Sequence, residues 1–370
     1  MSAPRARPTS VVLAGGGTAG HTSPLIATAH ELEVLEPDIV LTAVGTARGL
    51  EVTVVPAAGL TLRLIPPVPM PRRPSVDLAK VPVRLWRSVA EAGAILRSVQ
   101  ADVVLGFGGY VSTPVYVAAR RMGIPIVIHE QNALPGLANR LAARFTSSVF
   151  TSFPDTPLPH ATCIGLPLRR AIVDLDRPAE RRVAREQFGL HPDLPTLLVG
   201  GGSQGAQSIN EAVIGSRDQL LAQGIQVLHV LGPKNLTDQT VALTDATTGA
   251  VYQPLAYVDQ MELAYAAADL MLGRCGASTV LETAAVGLPA IFVPYPYGNG
   301  EQGRNARLVV QAGGAELIDD SAVTAAWAGR RIPELIGDRE RLDGMSRATT
   351  GVAMGDAAET LAKKTLEVAG

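Results

Sequence analysis

Short apolar runs alternate with longer amphipathic stretches along this chain. In the first half the runs are Val11–Ala14, Ile39–Ala43, Leu62–Ile65, Val103–Leu105, Ile126–Ile128 and Val149–Thr151. Helical patterns fill the intervals at 22–35, 77–98, 111–121 and 136–143. Apolar runs without alternation mark strands buried on both faces, as in parallel sheets. The second half repeats the design, with runs at Thr196–Val199, Gln226–Val230, Ala250–Gln253, Leu270–Leu272 and Ala290–Val293. Helices fit 206–214, 235–244, 259–267, 277–286 and 302–312, and the tail from Ser321 is helical. Strand and helix in alternation predict an α/β fold. Two such halves predict two Rossmann-like domains facing one another. The Pro-rich stretch Leu158–Pro167 and the polar stretch Asp174–Pro178 place the linker. The expected domains are 1–165 and 166–340, followed by a C-terminal helix in 341–370.

A chain of 370 residues has room for two domains. With 4 % aromatic residues, the cores must be built mainly from Val, Leu, Ala and Ile. A net charge of −2 gives nucleic acid no support as a partner. The only cysteines are Cys163 and Cys275, which argues against a disulfide framework or a multi-Cys zinc site. Met1–Ser10 carries Arg5 and Arg7 but no apolar core of a signal peptide. The longest uncharged stretches are broken by Gly and Pro, so no membrane span is expected.

Each half opens on a glycine turn between a strand and a helix. The first is Gly15-Gly16-Gly17-Thr18-Ala19-Gly20-His21; the second is Gly200-Gly201-Gly202-Ser203-Gln204-Gly205-Ala206. Such a turn brings backbone N–H groups close to an anion, and the helix N-terminus adds about half a positive charge. Both spell Gly-x-Gly-x-x-Gly, yet neither second strand ends on the acidic residue that binds a dinucleotide ribose. The strands end instead in Val44-Gly45-Thr46 and Leu231-Gly232-Pro233. NAD is therefore disfavoured. The lack of a Gly-Lys-Ser/Thr ending disfavours a P-loop ATPase. Tight turns that only pack helix on sheet are the plain alternative.

Other polar groups follow strands. His129-Glu130-Gln131-Asn132 lies after Ile126–Ile128, as a ligand site or a solvated loop. Arg274 to Glu282 follows Leu270–Leu272, with small residues at a helix start. One turn further in, Glu282 has the place of a ribose-binding carboxylate or of an acid favoured by the helix dipole. Asn299-Gly300-Glu301-Gln302-Gly303-Arg304-Asn305 suits sugar hydroxyls or a plain surface turn. His21, at a helix N-terminus that lowers its pKa, is either a general base or a capping residue. Asp174-Leu175-Asp176 follows no strand and reads as solvated charge. The stretch Met70–Arg97 interleaves Arg72, Arg73, Lys80, Arg84, Arg87 and Arg97 with Leu78, Val81, Val83, Leu85, Trp86 and Ile95. It fits a helix lying on anionic lipid or an ordinary helix covering the sheet.

These motifs together resemble one family. They are Gly16-Gly17-Thr18-x-Gly20-His21, Gly108-Gly109-Tyr110-Val111-Ser112, His129-Glu130-Gln131-Asn132, Gly201-Gly202-Ser203-Gln204-Gly205-Ala206 and Ala284-Ala285-x-Gly287-Leu288-Pro289. The chain resembles, from Gly15 to about Gly313, the bacterial UDP-N-acetylglucosamine:N-acetylmuramyl-(pentapeptide) pyrophosphoryl-undecaprenol N-acetylglucosamine transferases of peptidoglycan synthesis. The resemblance implies the two-Rossmann-domain GT-B fold, an active site in the interdomain cleft, and a C-terminal helix returning to the first domain. It implies UDP-N-acetylglucosamine as donor and lipid I as acceptor. Val258 then meets the uracil, Glu282 the ribose, and Ser203, Arg169, Ala277, Ser278 and Thr279 the diphosphate. Gln302 reads the sugar. Thr18, Ala19, Gly20 and Asn132 lie on the acceptor side, and His21 is the candidate base. No metal or other cofactor is strictly required. Arg72, Arg73, Lys80, Arg84, Trp86 and Arg87 face an anionic membrane surface on its cytoplasmic side, with other cell-wall enzymes left open as partners. The alternatives are a related glycosyltransferase with another acceptor, a UDP-sugar 2-epimerase, and a non-catalytic UDP-sugar-binding protein.

Overall fold

The computed structural model describes residues 7–68, 76–202, 205–237 and 240–370, with backbone alone for 76–80. It divides into two compact units, 1–169 with 354–370, and 170–353.

The first unit is built on a parallel sheet. Its strands are β1 (Ser10–Gly15), β2 (Val40–Gly45), β3 (Thr61–Leu64), β4 (Val103–Gly108), β5 (Ile126–Glu130), β6 (Val149–Thr151) and β7 (Ala161–Cys163), in the order β3-β2-β1-β4-β5-β6-β7. Its helices are α1 (Ala19–Leu35), α2 (Glu51–Ala57), α3 (Val76–Ser98), α4 (Ser112–Met122) and α5 (Leu137–Ala142). The central strand is apolar throughout because both its faces are covered. Val12 and Ala14 face the core formed with α4, while Val11 and Leu13 face α1.

The second unit repeats the architecture. It begins with α6 (Arg170–Val173) and α7 (Arg177–Gln187). There follow β8 (Thr196–Gly200), α8 (Gln207–Ala222), β9 (Gln226–Val230), β10 (Leu243–Thr244), β11 (Val251–Leu255), α9 (Met261–Ala267) and β12 (Leu270–Gly273). Then come α10 (Ala277–Ala285), β13 (Ala290–Phe292), α11 (Glu301–Ala312), β14 (Ala315–Leu317), α12 (Ala325–Gly337) and α13 (Arg339–Thr350). The sheet order is β10-β11-β9-β8-β12-β13-β14, and only β10 runs antiparallel to its neighbour.

Several sequence expectations are corrected. The tail 341–370 is not one helix. It breaks after α13, and α14 (Ala357–Ala369) belongs to the first unit. Ala358, Leu361, Ala362 and Thr365 recur at helical spacing, and all are buried on that side. The Pro-rich stretch at 158–167 contains β7, which pairs with β6, so the chain leaves the first unit only at Arg169. Among the described residues of 235–244 no helix forms, and β10 stands at the end of that range. There Thr237 N–H bonds to the Thr240 hydroxyl, the local competition by which Thr disfavours helix. In α7, Asp176 caps the helix by accepting from Ala179 N at 3.1 Å. That is a structural use for the Asp-x-Asp tract.

Helix α7 escaped sequence analysis because arginines, not aliphatic residues, form its buried face. The Arg177 guanidinium is buried among the carbonyls of Tyr265 (3.1 Å), Gly287 (2.6 Å) and Ala268 (2.6 Å). Burial, and then the nearby Arg181 charge, lower its pKa to about 10. Arg177→Ala leaves these carbonyls without a donor. The expected loss is roughly 2–4 kcal/mol of unfolding free energy, read from urea denaturation.

Candidate functional site

The candidate residues collect at the carboxyl ends of the strands, where open α/β sheets bind ligands. In the first unit, β1 delivers Gly16-Gly17-Thr18 and the start of α1. Thr18 and Ala19 are exposed; Gly20 and His21 are half-buried. No side chain caps α1: the Thr18 hydroxyl lies 3.0 Å from His21 Nδ1 instead. When Nδ1 carries its proton and Thr18 accepts it, Nε2 is the basic nitrogen. Burial holds the His21 pKa below the usual 6.5, with Glu51 opposing that shift. The imidazole is then neutral at pH 7, the form a base requires.

The motif after β4 explains its own glycines. Gly109 has φ of +82°, and a Cβ there would come within 2.7 Å of the Gly16 carbonyl oxygen. The Ser112 hydroxyl lies 2.8 Å from Ala14 O and 2.7 Å from Gly108 O, sharing its proton between them. The two loops are thereby locked together. Tyr110, within that motif, stands 66 % exposed.

The run His129–Asn132 is neither a solvated loop nor a uniform ligand site. His129, Glu130 and Gln131 are buried, and only Asn132 is half-exposed. His129 Nε2–H donates to Gly165 O at 2.9 Å, and burial pushes the imidazole down to about 4. The Glu130 carboxylate accepts from Asn132 N (3.0 Å), Gly136 N (3.0 Å) and Asn139 Nδ2 (2.9 Å). Burial raises its pKa, and those hydrogen bonds oppose the rise. Three of the four residues therefore shape the loop that carries Asn132.

In the second unit, β8 and β12 are neighbours, so the second glycine turn and the start of α10 lie side by side. Gly202 has φ of +77°, and a Cβ on Gly201 would meet Ala206 N at 2.2 Å. Ser203 lies outside the described residues. Helix α10 begins at Gly276 with no side-chain cap. Ala277 is buried and Thr279 half-buried; the buried Ser278 Oγ has no hydrogen-bond partner among the described residues. A buried hydroxyl without a partner, at an open helix N-terminus, fits an anion. One turn on, half-buried Glu282 accepts from the Tyr265 hydroxyl at 2.7 Å. Val258 is buried just beyond β11. Gln302 Oε1 accepts from Tyr295 N at 2.9 Å, which ties α11 to the loop after β13. Arg274 braces this region through Ser208 and Asp320 and lies over the Tyr295 ring at 5.7 Å. Arg169, half-buried, is where the chain first leaves the first unit.

Arg72 and Arg73 lie outside the described residues, as does the Lys80 side chain. On α3, Arg84 is half-buried and Arg87 exposed; Val83 is 56 % and Trp86 66 % exposed. Among the described residues no helix is long and apolar enough to cross a membrane.

Two family models match the two halves. The glycosyltransferase family 28 N-terminal domain matches residues 11–151, and the C-terminal domain of the same family matches 196–361. This chain belongs to glycosyltransferase family 28. The family 28 chain is 55 % identical, over 97 % of its own length and 98 % of the other's, to a protein of Nocardioides sp.. A protein of Cutibacterium acnes is 54 % identical over 97 % of both chains. Both are named UDP-N-acetylglucosamine--N-acetylmuramyl-(pentapeptide) pyrophosphoryl-undecaprenol N-acetylglucosamine transferase. The crystal structure of MurG from Acinetobacter baumannii superposes with a TM-score of 0.77 at 27 % identity, covering 97 % of this chain and all of that one. The expected fold class, two Rossmann-like α/β domains of GT-B type, holds for this family 28 member.

Two groups were not legible in the sequence. Tyr265, whose hydroxyl donates to Glu282, belongs to none of the sequence motifs. Glu51 sits far from every motif, and its only trace is the set of glycines at 16, 45 and 49.

Proposed function

We propose that this chain transfers N-acetylglucosamine from UDP-N-acetylglucosamine to the 4-hydroxyl of the muramyl group of lipid I, with inversion, giving lipid II. Near-full-length identity above one half to two transferases of that name carries this assignment. The residue roles are those the family resemblance implies. The second unit takes the donor, with Val258 at the uracil and Glu282 at the ribose hydroxyls. Ser278, Thr279, Ser203 and Arg169 take the diphosphate, beside the backbone at Ala277. Gln302 takes the sugar. In the first unit, Thr18, Ala19, Gly20 and Asn132 serve the acceptor.

The muramyl oxygen forms a bond to C1, and its proton passes to His21. The bond from C1 to the phosphate oxygen breaks with its electron pair, and UDP leaves. The dipole of α10 and the Arg169 charge stabilise the leaving diphosphate electrostatically. The test mixes labelled UDP-N-acetylglucosamine with a lipid I analogue, with and without a chelator. Label in the lipid, at the same rate in both, is expected. Bound donor without transfer would point to another acceptor or to a binding protein.

A peripheral position on the cytoplasmic face of the membrane follows from the acceptor and from α3. Exposed Val83 and Trp86 beside Arg84 and Arg87 suit the surface of an anionic bilayer. Trp86→Ala together with Arg87→Ala is expected to weaken sedimentation with anionic vesicles by about 30-fold or more, since each buried aromatic or basic contact contributes roughly 1 kcal/mol or more. Turnover of a soluble acceptor analogue should be unchanged.

A further inference from the structure

Glu51 opens α2 and is fully buried. Its carboxylate accepts hydrogen bonds from Gly17 N at 2.8 Å, Thr46 N at 2.9 Å and the Thr46 hydroxyl at 3.1 Å. A Cβ on Gly16 would come within 2.7 Å of that carboxylate, and one on Gly45 within 2.5 Å of Glu51 Cγ. On Gly49 it would come within 1.8 Å of Glu51 Oε2. Three glycines, one on the first turn and two between the β2 end and α2, thus make room for one acid. A buried carboxylate is costly unless it is hydrogen-bonded. Here its bonds run to the backbone of the first glycine turn and of the β2 end.

This changes what the first glycine turn does. Gly17 N–H, which in a phosphate-binding turn would face a ligand, is occupied by the protein's own anion. The turn comes prefilled. The segment that Glu51 holds leads straight into Thr18, whose hydroxyl meets His21 Nδ1. We propose that Glu51 is a positioning residue for glycosyl transfer: it fixes the Gly16–Thr18 segment from which His21 is oriented, and its charge favours the protonated imidazole that forms as the acceptor oxygen attacks. This rests on His21 being the base of the proposed reaction. The proton still goes from the muramyl hydroxyl to His21; Glu51 takes none.

The test is a double-mutant cycle on the full chain, with UDP-N-acetylglucosamine and a lipid I analogue. Glu51→Gln keeps the volume and removes the charge. It is expected to lower kcat about 10- to 100-fold, the scale of one charge-assisted hydrogen bond lost from the support of His21, with KM for the donor unchanged. In a His21→Ala background it should cost almost nothing further, because the two act as one unit. Glu51→Asp, which keeps the charge, should recover part of kcat. Should Glu51→Gln fail to fold, Glu51→Asp carries the same cycle: a lowered kcat in the wild-type background and none lost beside His21→Ala. Losses that multiply across the cycle, a raised donor KM with intact kcat, or no recovery with Asp would each overturn the proposal. His21→Ala without effect would remove the base and Glu51's role together. No transfer by the wild-type chain would refute the assigned reaction itself.

Discussion

His21→Ala lowers kcat for transfer to lipid I by about 10²- to 10⁴-fold, the usual contribution of a positioned general base. Affinity for UDP should not change, because His21 is not among the groups assigned to the donor. The pH profile carries the same signature. Neutral imidazole is the active form, and burial holds its pKa below 6.5. The acid limb of wild-type kcat should therefore have its midpoint below pH 6.5. The alanine variant should lack that acid limb. Full activity in His21→Ala, measured as label in the lipid product, would leave the transfer reaction in place and remove His21 from it.

Glu282→Ala is the second large effect, and it falls on the donor. A carboxylate that accepts two ribose hydroxyls makes charge-assisted hydrogen bonds, worth about 1.5–3 kcal/mol each. Removing it should weaken UDP binding by at least about 10- to 100-fold, the free energy of one such bond. KM for UDP-N-acetylglucosamine should rise in parallel. Tyr265→Phe is the control. It removes only the 2.7 Å bond that orients the carboxylate, so its loss should be several times smaller. Equal losses in the two variants would mean that Glu282 serves the core rather than the nucleotide. Isothermal titration with UDP alone reads both without depending on the acceptor.

The two halves differ in how legible their chemistry was. In the second unit the small residues after β12, which the sequence singles out, form an uncapped helix start, and Ser278 Oγ is buried there without a partner among the described residues. In the first unit the motif His129-Glu130-Gln131-Asn132 looked uniformly polar. Yet His129 and Glu130 spend their polarity on Gly165, Gly136 and Asn139. A polar residue reads the same in sequence whether it faces a ligand or the backbone of its own loop. Only the direction of the side chain separates the cases.

The chain's own pattern determined the strands that carry the site and the repetition of one design. Buried parallel strands must be apolar on both faces, and that demand leaves an unambiguous trace. It also determined which loops are rich in glycine, since a turn with φ above zero excludes most other residues. The tertiary structure alone decided what those glycines admit. At the first turn it is a carboxylate from α2, thirty-four positions away from Gly17 in the chain. It likewise decided that α7 is buried through arginines. These outcomes depend on contacts between distant segments. Local periodicity records how a segment meets water and apolar surface, but not which partner satisfies its hydrogen bonds.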